Sequence, residues 1–194
     1  FFTSNIMGII SALVGGIMDA TRIAKTNKAL NELTYEEVVV QNKYAIKMPS
    51  FLSPKSNLNE DASLQYASRI LDIAFLVIDE PKSEFIAAVE ESKEYIPGLS
   101  DSLLDNLAAV TIHNMFDDKD IETGNYRQTT INGLNAITLN VFQERTFFKD
   151  ALYASFAFIE GKDTVYQIII MSGGTSIKSF ADKLEVTIQS FREL

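Results

Sequence analysis

Three places in the sequence bring together residue types that can do chemistry. Ser172-Gly173-Gly174-Thr175-Ser176 joins an apolar strand pattern to a helical one. Glycines let backbone amides converge and a helix start favours negative charge, so the placement suits an anion. The P-loop spacing is missing, because Lys178 comes too early and no second glycine precedes a Lys-Ser pair. The residues read as a two-glycine turn with Thr175 or Ser176 capping a helix. In Asp117-Asp118-Lys119-Asp120-Ile121-Glu122, the acids at 118, 120 and 122 alternate as calcium-loop ligands do. Thr123 then stands where such a loop needs Gly, and Thr129 where it needs Glu. The run reads as an acidic, solvated helix end and loop. The single histidine, His113, has Ala109 and Asp117 as helical neighbours and reads as a surface histidine beside a carboxylate. No G-x-S-x-G elbow is present, and Glu90-Glu91 is an adjacent pair that diverges on a helix.

Composition narrows the chemistry further. With no cysteine, disulfides, thiolate zinc sites, iron–sulfur clusters and cysteine nucleophiles all fall away. One histidine disfavours an imidazole-based metal site. We therefore expect no cofactor, no metal and no enzymatic activity. The net charge of −9 comes from residues 79–122, which hold twelve acids and three lysines; the rest of the chain is balanced. No basic stripe with interleaved aromatics occurs, so nucleic acid is not an expected partner.

The elements that must position these residues begin with an uncharged segment, FFTSNIMGIISALVGGIM, at residues 1–18. Its densest part, Ile6 to Met18, has one Ser and three Gly among thirteen residues, short of the roughly 20 that span a bilayer. Gly8, Ala12 and Gly16 recur every fourth residue, which on a helix lets another helix approach closely. Arg22, Lys25 and Lys28 follow at helical spacing, so a helix over residues 1–33 is expected. It either enters a membrane, with the basic residues at its flank, or packs within a protein assembly. Ile6, Gly8, Ile9, Ala12, Leu13 and Gly16 are the expected contact residues. Because the sequence begins with Phe1, a processed or incomplete start is expected.

From residue 34 to 194 the pattern is that of one α+β domain. Glu37–Gln41 and Tyr44–Met48 read as strands around Gln41-Asn42-Lys43, with breaks at Pro49 and Pro54. Leu64–Ser68 and Ile73–Ile78 read as further strands, the second apolar throughout and so buried on both faces. Glu80-Pro81 opens a helix to about Tyr95, and a second starts near Ser100 or Asp101 with Leu103, Leu104, Leu107, Val110, Thr111 and Met115 as its stripe. Tyr126–Ile131, Leu134–Gln143, Ala151–Glu160 and Thr164–Met171 follow as strands, turned by Asn132-Gly133 and Gly161-Lys162-Asp163. A helix over Ser176–Leu194 closes the chain, giving an antiparallel sheet flanked by helices.

The segments YAIKMPSFL at 44–52, ASLQY at 62–66, FLVIDEP at 75–81, LYASFAFIE at 152–160, YQIII at 166–170 and the terminal Ser190-Phe191 resemble a PsbP-like domain over about residues 36–194. The chain is similar to the bacterial relatives of that fold, DcrB-like envelope lipoproteins and Eag-type chaperones of type VI secretion. The resemblance implies an antiparallel sheet sandwiched by helices and a non-catalytic adaptor, chaperone or accessory role. It carries over no functional residue. Two functions are expected from these readings. One is a binding or assembly subunit of the bacterial cell envelope, membrane-associated and periplasmic rather than cytoplasmic, held by its leading helix to a membrane or a larger complex. The other is a chaperone-like homo-oligomer, a dimer that shelters apolar helices of a partner protein.

Overall fold

The computed structural model describes residues 20–92, 99–116, 121–143, 152–173 and 176–194. Helix α1 (Ala20–Asn31) leads into a hairpin, β1 (Tyr35–Val40) and β2 (Tyr44–Pro49). The turn between them sets Gln41 and Asn42 in left-handed backbone, φ 49° and 57°, and Lys43 N–H closes on the Val40 carbonyl at 2.8 Å. Next come β3 (Ser53–Pro54), β4 (Ala62–Ser68), β5 (Ile73–Pro81), α2 (Lys82–Ser92) and α3 (Leu103–Met115). The second half holds β6 (Ile121–Ile131), β7 (Leu134–Gln143), β8 (Leu152–Glu160), β9 (Thr164–Gly173), α4 (Ser176–Gln189) and β10 (Arg192–Glu193).

The strands form two antiparallel sheets, a seven-stranded one in the order β3-β4-β5-β9-β8-β7-β6 and a three-stranded one, β1-β2-β10. The large sheet divides the interior. On one face α2 and α3 cover Leu76, Ile78, Leu139, Phe156, Phe158 and Ile169. On the other, α4 and the small sheet cover Phe75, Val77, Ile159, Ile168 and Ile170 with Phe180, Leu184 and Ile188. Strand β5 feeds both cores, Ala74, Leu76 and Ile78 one way and Ile73, Phe75 and Val77 the other, which is why its sequence shows no alternation.

Five expectations need correcting. Pro81 closes β5 opposite Thr164 instead of opening a helix; the ladder with β9 extends that far, and tertiary pairing overrides proline's preference for a first helical position. Helix α2 begins at Lys82, whose N–H meets the Asp163 carbonyl at 3.0 Å. Pro54 is no mere break but half of a two-residue strand against Tyr66, at the sheet edge where a missing N–H is tolerated. Strand β6 starts at Ile121, not Tyr126, so Ile121 and Glu122 leave the acidic loop and pair with Gln143 and Phe142. A bulge between Gly124 and Arg127, with Asn125 at φ 55°, hides the two-residue period there. The last helix stops at Gln189, and Arg192 and Glu193 pair with Ala45 and Tyr44, completing a second sheet that the periodicity did not suggest. Helix α3 starts at Leu103, where the Ser102 hydroxyl caps it by accepting the Asp105 N–H.

Candidate functional site

The contact residues expected from the sequence, Ile6, Gly8, Ile9, Ala12, Leu13 and Gly16, lie outside the described residues, as does the whole apolar stretch of the leading helix. Of α1, Ala29 and Leu30 pack against the α4-side core, while Lys25 and Lys28 are exposed. The candidate anion loop is described at Ser172 and Gly173, which end β9; Gly174 and Thr175 lie outside the described residues. Ser172 is fully buried, so its hydroxyl presents nothing to solvent there. His113 is exposed on α3, and Asp117 is outside the described residues. Glu90 and Glu91 are exposed on α2. Among the described residues no group of three or more His, Asp or Glu is arranged to hold a metal ion.

The structure assembles a different site. Helix α4 packs on β9 and on β2, and beside it a cleft opens over β6, β7 and β8 on the same face of the large sheet. Cross-strand partners share a face, so the register defines the floor of this opening. Phe142 stands opposite Tyr153, Asn140 opposite Ser155, and Thr138 bridges Arg127 and Ala157. Asn125 and Arg127 on β6 form one rim. Asp182 and Glu185 of α4, three residues apart and so on one side of the helix, form the opposite wall above the buried Leu184 and Ile188. The cleft measures about 400 Å³.

Local sequence explains the polar floor. In β7 the residues Ile137, Leu139 and Val141 point to the α3 side, and the intervening Thr138 and Asn140 point to the cleft. In β8, Ala154 and Phe156 face α3, and Tyr153 and Ser155 face the cleft. Polar residues at the alternate positions of interior strands were the available sign that no helix covers this half-face. Burial raises the Tyr153 phenol above its ordinary value, so it stays a neutral hydrogen-bonding group. The cleft thus offers amides, hydroxyls, one guanidinium and two carboxylates.

A second polar cluster is buried between the two sheets. The rings of Tyr44, Tyr166 and Phe191 pack with centroids 4.8 to 5.5 Å apart. The hydroxyls of Tyr44 and Ser63 share a hydrogen bond of 2.8 Å, and Tyr166 Oη donates to Glu193 Oε1 at 3.0 Å. Glu193 also accepts the Lys162 backbone N–H, at 2.8 Å to Oε2. Burial drives both phenols well above their ordinary range, so they donate hydrogen bonds without giving up protons. This cluster holds the small sheet to the large one. Beside it, Lys43 Nζ lies 2.6 Å from the nearly buried Asp79 carboxylate.

No family model matches the chain, and no curated protein matches it. Among solved structures it is similar to a Bacteroides thetaiotaomicron protein at TM-score 0.50 and 6% identity, over 82% of this chain and 48% of that one. It is similar to the Ran-binding protein Mog1p of Saccharomyces cerevisiae at TM-score 0.49 and 13% identity, over 83% and 96% of the two chains. It is also similar to the cyanobacterial PsbP of Synechocystis at TM-score 0.47 and 11% identity, over 93% and 97%. The chain spans about half the length of the Bacteroides protein. At such identities the likeness is one of fold alone.

Proposed function

We propose that the chain is a non-catalytic binding or assembly subunit of the bacterial cell envelope, tethered to a membrane or a larger complex through its leading segment. The observation that supports this reading is the junction at α1. The described domain closes two cores from its own strands and helices, and α1 meets one of them at Ala29 and Leu30. Joined ahead of α1 is a thirteen-residue run, Ile6–Met18, without a single charge. Burying four or five of its large side chains is worth several kcal/mol at about 25 cal/mol per Å², enough to hold the domain to whatever accepts them. Among the described residues no helix is long and apolar enough to cross a membrane. The kinship with DcrB-like lipoproteins or Eag-type chaperones rests on the sequence resemblance.

The alternative, a dimeric chaperone that shelters apolar helices, fits the cleft poorly. An apolar helix laid on Thr138, Asn140 and Ser155 would strip them of water and return no hydrogen bonds, at about 1–3 kcal/mol each. Cell fractionation of the full chain beside a chain lacking residues 1–19 tests the tether. The full chain is expected with the membrane or a large complex, and the shortened chain in the soluble fraction with its thermal unfolding intact. A shortened chain that stays with the same fraction overturns the proposal. A dimer in solution without detergent favours the chaperone.

A further inference from the structure

We propose that the cleft between α4 and the β6–β8 half of the large sheet binds an amino sugar, a hydroxyl-rich ligand carrying an ammonium group. This goes beyond the tethering role and does not depend on it, because the cleft is built from residues of the folded domain.

The lining selects the ligand by elimination and then by fit. Thr138, Asn140 and Ser155 lie along the floor and both donate and accept hydrogen bonds. A hydrocarbon ligand would desolvate them unpaired. Phosphates, nucleotides and acidic peptides meet Asp182 and Glu185, which outnumber the single cation on the rim, Arg127. A ligand rich in hydroxyls satisfies the floor in both directions, since every hydroxyl is donor and acceptor at once. Tyr153 stands at one end of the row, an aromatic side chain of the kind that packs on the apolar C–H face of a pyranose. Arg127 stands at the other end, roughly 13 Å away by strand rise, where it donates to ring oxygens. The carboxylate wall supplies the remaining preference. Asp182 and Glu185 sit side by side on one helix face, and an ammonium group brought between them and the floor is attracted by both.

Isothermal titration of the full chain, held in a sugar-free detergent, tests this with three probes: the β-1,4-linked dimer of glucosamine, its N-acetylated form, and cellobiose. The free-amine dimer is expected to bind about tenfold more tightly than either neutral sugar, with an advantage that shrinks as salt rises. The double substitution Asp182→Asn, Glu185→Gln is expected to remove that advantage. Asn140→Ala is expected to weaken all three by about tenfold. Asp182 is exposed and Glu185 half-exposed, so the double variant should keep its unfolding temperature and remain a fair comparison. Equal affinity for the three probes, absence of heat from all of them, or an amine advantage that survives the double substitution would each overturn the proposal.

Discussion

Glu80 ends the apolar run of β5 half-buried, and burial together with the charges of Asp61, Glu84 and Asp79 pushes its carboxyl up to about 7 from the ordinary 4.5. A folded-state value above the unfolded one means that folding favours the protonated form. The stabilisation is complete below pH 4.5 and disappears as pH rises through about 7. Glu80→Gln should therefore leave stability unchanged at pH 4 and raise it by about 1 kcal/mol at pH 8, a figure discounted for partial exposure. Urea denaturation of both proteins across that range checks it; parallel pH profiles would refute it. No sequence signal marked this residue, because its neighbours Asp61 and Glu84 come from a loop and a helix that only folding brings together. The same holds for Glu193, whose role depends on Lys162 and Tyr166.

At the scale of elements, β10 acts as a clasp. Its Glu193 fills the space over Gly161, where an added Cβ would lie 2.2 Å from Glu193 Oε1 and 2.7 Å from Tyr166 Cε2. Asn132 Nδ2 donates to the Phe191 carbonyl at 2.6 Å, and Arg192 pairs with Glu37 at 3.1 Å. Gly161→Ala should cost about 1–3 kcal/mol by forcing the clasp outward. In a Glu193→Ala background the same change should cost less, since the closest obstruction is gone. Chemical denaturation of the four proteins gives the coupling, and strict additivity would show that β10 is not what Gly161 accommodates.

Elements were legible where local pattern and tertiary pairing agree. Strand β7 has the bounds read from the sequence, Leu134–Gln143, because Asn132 and Gly133 adopt the left-handed backbone, φ 48° and 85°, that such a turn needs. Strand β5 was legible from its unbroken apolar run. The clasp was not, because Phe191 falls at helical spacing from Leu184 and Ile188 and so mimics one more turn of α4. The cleft was legible only as alternation in β7 and β8; its acidic wall required knowing where α4 lies.

For the whole molecule, the two cores share one wall. Residues of β5, β8 and β9 alternate between them, so neither core can dissolve while the other stands. Far-ultraviolet circular dichroism and tyrosine fluorescence should accordingly report the same unfolding midpoint in denaturant. Two separated midpoints would mean that the small sheet and α4 form an independent unit. The acidic surplus also has a side: Glu84, Glu90, Glu91, Asp101 and Asp105 belong to α2, α3 and the segment leading into α3, across the large sheet from the cleft.

The central partnership of β5 with β9 joins segments separated by roughly ninety residues of chain, an expensive loop to close before any reward arrives. A polypeptide leaving the ribosome therefore exposes Ile73–Ile78 as a sticky, half-paired edge long before its proper neighbour has been synthesised. Refolding should be slow for a chain of this size, and in the cell a holdase that shields this hexapeptide would govern yield more than the final stability does.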